Sequence, residues 1–253
     1  MFEQLSQGAH WFSRAVIDMV LPPQCVYCHE LVSSASVLCP ECWQHLSFID
    51  EPLCDRLGIP FAYDPGDGIV SAEALAHPPE WTRARAAVEY GDVARDLVHA
   101  LKYHDRHEVC SLMARLMVRA GWPLIETADI VIPVPLHPLR AWQRRFNQSA
   151  LLAHAIAGMC EMECDTGVLL RTRATRQQAG LKGHERRRNV NRAFAVNPAR
   201  LAGAAGRHVL LIDDVRTTGA TARACTRTLL QAGCAGVSVL TFSLVNDPAQ
   251  LHI

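Results

Sequence analysis

Residues 209–221 have the sequence VLLIDDVRTTGAT, and this stretch decides the fold. Its four leading apolar residues predict a buried strand, and the adjacent carboxylates Asp213 and Asp214 stand at the end of that strand. A turn of small residues at 217–221 then opens a helical run over 222–231. A strand that enters such a turn and a helix predicts a ligand site at the edge of an α/β sheet.

The turn at 217–221 has the chemistry of an anion site. Backbone N–H groups at a helix N-terminus point outward, and the helix dipole favours negative charge there. Gly219 lets the backbone approach a ligand closely, and the threonine hydroxyls add donors. The two carboxylates repel a phosphate, so they suit sugar hydroxyls or a cation beside the phosphate. The segment therefore predicts a phosphorylated sugar as ligand, and it has neither the lysine of a Walker A loop nor GxGxxG spacing.

Strands and helices alternate after residue 80, which predicts a parallel sheet with helices on both faces. We expect strands at 86–90, 129–135, 169–172, 209–212 and 237–245, and helices at 93–102, 108–120, 148–159 and 222–231. The predicted fold class is α/β, a parallel-sheet domain preceded by a small four-cysteine module. The expected limits are 1–58 for that module, 59–80 for a turn-rich linker and 81–253 for the sheet domain, and no internal repeat is evident.

The charge of the 253-residue chain is zero overall but unevenly distributed. Residues 1–80 contain two arginines against eleven acidic residues, so the basic residues concentrate in the remainder. This asymmetry predicts two units with different surfaces. Residues 1–20 have apolar residues at helical spacing interrupted by charges, which favours an amphipathic helix over a signal peptide or a membrane span. We therefore expect a cytoplasmic protein.

Four cysteines near the N-terminus form two CxxC pairs, Cys25 with Cys28 and Cys39 with Cys42. Two such pairs place four thiolates at a tetrahedral site, which predicts structural zinc with no open position for catalysis. Disulfides are the main alternative, and a cytosolic chain disfavours them. A redox CxxC is disfavoured because neither pair lies in a βαβ pattern. The remaining cysteines are expected in the core.

Two basic segments follow the predicted strands. The first contains His137, Arg140, Arg144 and Arg145, and arginine suits bidentate phosphate contact. The second, residues 171–192, has seven arginines and one lysine against a single acidic residue, and includes Arg176, Arg186, Arg187 and Arg188. It predicts a basic loop that closes over a polyphosphate, a track for a nucleic-acid backbone, or a solvated surface.

The segment 209–221 resembles the signature of type I phosphoribosyltransferases, which bind 5-phosphoribosyl-1-pyrophosphate (PRPP). That signature is a hydrophobic strand, two acids, an apolar residue and T-T-G-x-T. The resemblance implies that Asp213 and Asp214 are catalytic residues contacting the ribose hydroxyls, and that magnesium accompanies PRPP. It also implies that the 5′-phosphate is held by the turn residues Thr217, Thr218, Gly219, Ala220 and Thr221. Arg216 occupies a variable position of the signature, and we expect it to bind the phosphate as well.

The order of motifs along the whole chain resembles the ComF/GntX family, whose members are competence-associated or GntX-like proteins. These motifs are the amphipathic start, the four cysteines, P-V-P-L-H at 133–137, R-R-F-N-Q-S at 144–149, a Q-x-x-L basic loop and the 209–221 segment. The resemblance also implies that Lys102 lies near the phosphates. Many members of that family carry further cysteines shortly after the four-cysteine cluster. This chain departs from that pattern, because Cys54 has no CxxC partner, so a second metal site is not expected.

Two functions follow from these resemblances. The first is a phosphoribosyltransferase that transfers phosphoribosyl from PRPP to a nitrogenous base, with the basic loops at the leaving pyrophosphate. The alternative is an accessory protein of DNA uptake that binds single-stranded DNA and a helicase-like partner and keeps a non-catalytic PRPP site.

Overall fold

The computed structural model describes residues 22–66, 68–103, 107–136, 146–172 and 193–245. The helix expected at the N-terminus therefore lies outside the described residues. Within the described ranges, no helix is long and apolar enough to cross a membrane. The chain divides into two compact units, Met1–His45 and Leu46–Ile253.

The first unit contains a tight turn and a short helix. An isolated bridge joins Gln24 to Leu31, and the helix α1 spans Pro40–Gln44. Cys39 is its N-cap, with a side chain that accepts a hydrogen bond from the N–H of Cys42. Proline at the start of a helix lacks only an N–H that would have no intrahelical partner there.

The second unit is built from six strands and five α-helices in the described residues. The strands are β1 (Ala84–Glu89), β2 (Ile130–Pro133), β3 (Leu169–Arg171), β4 (Phe194–Val196), β5 (His208–Arg216) and β6 (Gly236–Leu244). The helices are α2 (Ala72–Ala76), α3 (Asp92–Tyr103), α4 (His107–Ile125), α5 (Gln148–Met159) and α6 (Ala220–Gln231), with a 3₁₀ turn at Leu201–Gly203.

Four strands form a parallel sheet in the order β1-β6-β5-β2. All nine residues of β6 are buried, as are residues 209–212 of β5. Such continuous apolar strands are typical of parallel sheets covered on both faces. The predicted fold class, an α/β domain with a parallel sheet behind a four-cysteine module, is confirmed.

A separate pair of strands, β3 and β4, is antiparallel, with Arg171 opposite Phe194. The sequence predicts β3 but not β4. Helix α5 begins and ends where the sequence predicts, and Asn147 caps it by accepting the N–H of Ser149.

The segment 59–80 is more ordered than a linker. It contains helix α2, and Ala74 and Pro79 are buried. The boundary between the two units lies after His45, whereas the sequence predicts it near residue 58. Residues 46–80 have turn-rich composition and yet contribute to the core of the sheet domain, which composition alone does not reveal.

Candidate functional site

Strand β5 positions the two adjacent carboxylates. The strand runs to Arg216, past the predicted end at Ile212, and Asp213 lies opposite Thr241 of β6 in the register. An oxygen of Asp213, Oδ1, accepts the N–H of Asp214 at 3.0 Å, and Oδ1 of Asp214 accepts the N–H of Val215 at 2.8 Å. These bonds hold both side chains against the backbone of the strand end.

Helix α5 supplies a direct partner for Asp213. The hydroxyl of Ser149 donates to Oδ1 of Asp213 at 2.9 Å. Asn147 fixes the start of the helix, because its amide nitrogen donates to the carbonyl of Val134 at 3.0 Å while its oxygen accepts the N–H of Ser149. One cap residue therefore ties the end of β2 to the serine that orients the carboxylate.

Burial raises the pKa of Asp213 to about 7, and the neighbouring charge of Asp214 adds to the rise. The hydrogen bond from Ser149 and the charge of Lys102 act in the opposite direction and do not compensate. A desolvated carboxylate beside a second one favours its protonated form. The pKa of the Asp213 carboxyl is thus near neutral pH, well above the ordinary value for an aspartate.

Lys102 of helix α3 pairs with the second carboxylate. Its ammonium nitrogen lies 2.8 Å from Oδ2 of Asp214, and both side chains are mostly buried. The sequence resemblance places Lys102 near phosphates, and the structure brings it to the acid pair. The positive charge balances one of the two carboxylates at this strand end.

Gly219 begins helix α6 in the left-handed conformation, with φ of +70°. This cap residue has no side chain to bond the N–H groups of the first helical turn, so the turn keeps the form of an anion site. A depression at this point is lined by both strand and loop, with Asp213, Val215, Arg216, Thr217, Gly219, Ala220, Thr221, Ala222 and Thr241 around it. It therefore brings a carboxylate together with the helix N-terminus.

Trp81 supports this loop from within the domain. It is 1% exposed, and two guanidinium groups lie over its ring, Arg223 at 5.1 Å and Arg216 at 5.9 Å from the centroid. Arg223 also donates to Glu80 at 3.0 Å. Burial opposes ionisation of Glu80, but hydrogen bonds from Arg227 and Arg223 outweigh it and lower its pKa.

Arg216 differs from its expected role. Its side chain is buried and donates to the carbonyl of Leu57. Burial lowers the pKa of Arg216 to about 10. By its position in the sequence, Arg216 is expected among the phosphate-binding residues, whereas its guanidinium lies in the core and bonds to a backbone carbonyl there.

The other expected phosphate contacts fall into two groups. Thr217, Gly219, Ala220 and Thr221 line the depression, and Thr218 lies in the same loop and is exposed. The basic residues of the two loops lie outside the described residues, namely His137, Arg140, Arg144, Arg145, Arg176, Arg186, Arg187 and Arg188.

Three residues of the site were missed by sequence reasoning. Ser149 carried a signal, since it ends the R-R-F-N-Q-S motif and lies two residues after the capping Asn147. Thr241 comes to Asp213 only through strand register, and Trp81 reaches the loop only through tertiary packing. Neither of the latter two contacts has a local pattern in the sequence.

The four predicted zinc ligands come together in the first unit. The sulfur atoms of Cys25, Cys28, Cys39 and Cys42 all lie within 4.8 Å of one another, and those of Cys28 and Cys39 are 3.6 Å apart. Thiolates bound to one zinc at about 2.3 Å lie about 3.8 Å apart, so the cluster fits a structural zinc.

Comparison with known proteins identifies the group to which the chain belongs. A model described as the double zinc ribbon domain matches residues 16–74. The DNA utilization protein YhgH of Escherichia coli K12 is 33% identical over 196 residues, which cover 75% of this chain and 83% of that protein. The chain belongs to the ComF/GntX family. Other relatives in this family are the YhgH protein of Salmonella typhi, 30% identical over 92% of this chain and 95% of that one, and competence protein F of Haemophilus influenzae, 25% identical over 85% and 94%.

Solved structures similar to this ComF/GntX chain include proteins of phosphoribosyl chemistry. The glutamine PRPP amidotransferase of Bacillus subtilis matches 56% of this chain and 30% of that one, with 21% identity and a TM-score of 0.36. The orotate phosphoribosyltransferase of Mycobacterium tuberculosis matches 65% and 93%, with 16% identity and a TM-score of 0.33.

Proposed function

We propose that this protein binds PRPP together with magnesium at residues 213–221. The supporting observation is the depression in which Asp213 faces the N-terminus of helix α6. The phosphate of a phosphoribosyl group suits the N–H groups of residues 219–221, and its ribose hydroxyls suit the carboxylates.

Magnesium fits the chemistry of the donor set. Asp213 and Asp214 are neighbouring carboxylates, and Lys102 pairs with the second of them. Magnesium prefers oxygen ligands and commonly bridges one or two carboxylates with phosphate oxygens of a substrate. The magnesium ion that accompanies PRPP would favour the ionised form of Asp213. In that complex we expect Lys102 to turn toward the phosphates.

The reaction that we propose is phosphoribosyl transfer. A ring nitrogen of a base forms a bond to the anomeric carbon of the ribose, the bond from that carbon to the pyrophosphate oxygen breaks, and the base loses its proton to solvent. The transition state is oxocarbenium-like, so positioning and charge stabilisation dominate. We assign Arg140, Arg144 and Arg145 to the pyrophosphate, and residues 176–188 to a loop that closes over it.

Calorimetry of PRPP binding, with and without magnesium, tests the proposed site. We expect magnesium-dependent binding that Asp214→Asn abolishes. Asp50→Asn is the matched control, because it makes the same change at an exposed carboxylate paired with Arg119. Absence of binding by folded, zinc-loaded protein would refute the proposal. Release of pyrophosphate with a panel of bases then tests the transfer step.

A second candidate function is an accessory role in DNA uptake. It is favoured by the names of the relatives, DNA utilization protein and competence protein, and by the basic composition of residues 171–192. In this role the basic segment binds single-stranded DNA phosphates, a helicase-like protein is the partner, and the PRPP site is non-catalytic.

Salt dependence of DNA binding tests this second function. Neutralised phosphates release counterions, so affinity for single-stranded DNA should fall steeply as salt rises. Replacing Arg186, Arg187 and Arg188 together by alanine should flatten that slope, whereas Arg115→Ala on the exposed side of α4 should not. Binding that is indifferent to salt would exclude the backbone track.

A further inference from the structure

Residues 52–61 repeat the turn of the zinc site. In the first unit, the N–H of Cys25 donates to the carbonyl of Glu30 at 2.7 Å, and the N–H of His29 donates to the carbonyl of Cys25 at 3.1 Å. In the second unit, the N–H of Cys54 donates to the carbonyl of Ile59 at 2.9 Å, and the N–H of Gly58 to the carbonyl of Cys54 at 2.7 Å.

The flanking geometry of the two turns also agrees. A bridge joins Gln24 to Leu31 in one and Leu53 to Pro60 in the other. The fifth residue of each turn has a left-handed backbone, His29 with φ of +65° and Gly58 with +61°. Cys54 therefore occupies the place of Cys25, and Leu57 the place of Cys28.

The second half of the zinc site is repeated at residues 71–77. Cys39 caps the five-residue helix α1 and its N–H donates to the sulfur of Cys25 at 3.3 Å. Ser71 likewise caps the five-residue helix α2, and its N–H donates to the sulfur of Cys54 at the same distance, 3.3 Å. Each cap side chain accepts a hydrogen bond from the N–H three residues later. The sulfur of Cys39 accepts the N–H of Cys42, and the hydroxyl of Ser71 accepts the N–H of Ala74.

We propose that residues 52–77 are a second ribbon in which packing has replaced the metal. Its four ligand positions are Cys54, Leu57, Ser71 and Ala74, and only the first retains a thiol. The double zinc ribbon match ends at the last of these positions, Ala74. A single thiol cannot hold zinc where four are needed, so the chain binds one zinc and not two. This inference does not depend on PRPP binding.

Apolar burial supplies the stability that zinc provides in the first ribbon. Cys54, Leu57 and Ala74 are at most 5% exposed and belong to the same hydrophobic cluster as Trp81 and Ala84. Gly58 lies so close to β1 that a Cβ there would be 2.2 Å from the carbonyl oxygen of Ala84. A small metal-binding module normally needs its ion because its own core is too small, and here the core of the sheet domain serves instead.

The second ribbon also holds the strand that bears the carboxylates. The carbonyl of Leu57 accepts a hydrogen bond from the buried guanidinium of Arg216. The indole N–H of Trp81 donates to the carbonyl of Arg56 at 3.0 Å, and Arg56 donates to the carbonyl of Trp81 at 2.8 Å. The turn at residues 54–59 thus contacts Arg216 at the end of β5 and Trp81, whose ring lies against Gly219.

Restoring the missing thiols tests the proposal. Wild-type protein should contain about one zinc per chain, and the triple variant Leu57→Cys/Ser71→Cys/Ala74→Cys about two. Replacing zinc by cobalt should double the tetrahedral thiolate absorption in the triple variant. Adding Cys54→Ser to the triple variant is the control, and it should lose the second metal. A folded triple variant with one zinc would refute the proposal, as would wild-type protein with two.

A measurement on the wild-type chain covers the case in which the triple variant does not fold. Chelation of zinc should remove hydrogen-exchange protection from the amides of Cys25 and His29 and leave that of Gly58 and Ser71 unchanged. Cys54→Ser should likewise keep its one zinc. Loss of zinc from Cys54→Ser, or of protection at Gly58 after chelation, would show that the second ribbon depends on metal and would overturn the proposal.

Discussion

The indole of Trp81 lies against the backbone of Gly219, so that a Cβ on residue 219 would be 2.8 Å from Cη2 of the ring. Residue 219 also has φ of +70°, which side chains rarely adopt. The glycine of the T-T-G-x-T motif therefore meets two requirements at once, a left-handed turn and contact with a buried aromatic ring.

Gly219→Ala should lower the free energy of unfolding by more than the strain of a left-handed alanine backbone accounts for. The left-handed conformation costs an alanine about 1–2 kcal/mol, and displacing Trp81 adds a similar amount. Gly206→Ala is the matched control, because Gly206 has φ of +71° and nothing within 4 Å of its Cβ position. Urea unfolding of the two variants measures the difference. Equal losses would mean that the contact with Trp81 contributes nothing.

The contribution of Asp213 to the stability of the protein should fall as pH rises from about 4 to about 7. The pKa of Asp213 is raised to about 7, so over this range the folded state binds a proton that the unfolded state has lost. The slope from this one group is at most about 1.4 kcal/mol per pH unit, and Asp213→Asn should remove it. Unfolding curves at several pH values for both proteins measure the effect. A wild-type profile parallel to that of the variant would contradict the raised pKa.

Ser149→Ala should move the pH dependence of magnesium–PRPP binding to higher pH. The Ser149 hydroxyl donates to ionised Asp213 and so lowers its pKa. Without that donor, Asp213 ionises at higher pH. Binding of magnesium–PRPP should therefore weaken at pH 7 and recover at pH 9. Calorimetry across this range makes the measurement. A loss that is the same at every pH would indicate a structural role for Ser149 instead.

Arg216→Met should destabilise the sheet domain by about 2 kcal/mol, since the carbonyl of Leu57 loses a charged donor inside the core. The control is Arg115→Met on helix α4, where the exposed side chain donates to the hydroxyl of Ser111 at 3.1 Å, and little change is expected. Chemical denaturation compares the two. Stability unchanged by Arg216→Met would argue against the buried hydrogen bond.

Cys39→Ser should remove zinc from the first ribbon. A hydroxyl is a poor ligand beside three thiolates, so metal analysis of the untagged variant should fall from about one zinc per chain toward none. Cys234→Ser changes a buried cysteine outside the cluster and should keep the metal. Retention of zinc by Cys39→Ser would mean that the four cysteines are not its ligands.

Local chemistry made part of this molecule predictable. The glycine turn after residue 216, the acid pair and the cap of α5 at Asn147 are each set by residues close together in sequence. Two CxxC pairs likewise determine their own tetrahedral cluster. In these places the residue types and their spacing leave few alternatives.

The remaining features depend on contacts that are distant in sequence. Arg216 is expected among the phosphate-binding residues because it directly precedes the turn at 217–221. Its hydrogen-bond partner, the carbonyl of Leu57, is distant in sequence and leaves no local pattern. The second ribbon escaped detection as a repeat because three of its four ligand positions changed to leucine, serine and alanine. What persisted was the backbone hydrogen bonding of the two turns, and sequence patterns do not record it.

The pairing of β3 with β4 has a consequence for variation within the ComF/GntX family. Arg171 lies opposite Phe194, and the N–H of Thr172 donates to the carbonyl of Ala193 at 2.9 Å, so the residues on either side of positions 173–192 are hydrogen-bonded to each other. Lengthening a loop whose ends are already held costs only about 0.6 kcal/mol for each doubling. Insertions, deletions and exchanges of charge in this segment therefore leave the parallel sheet undisturbed, and we expect evolutionary divergence in ligand choice to concentrate there.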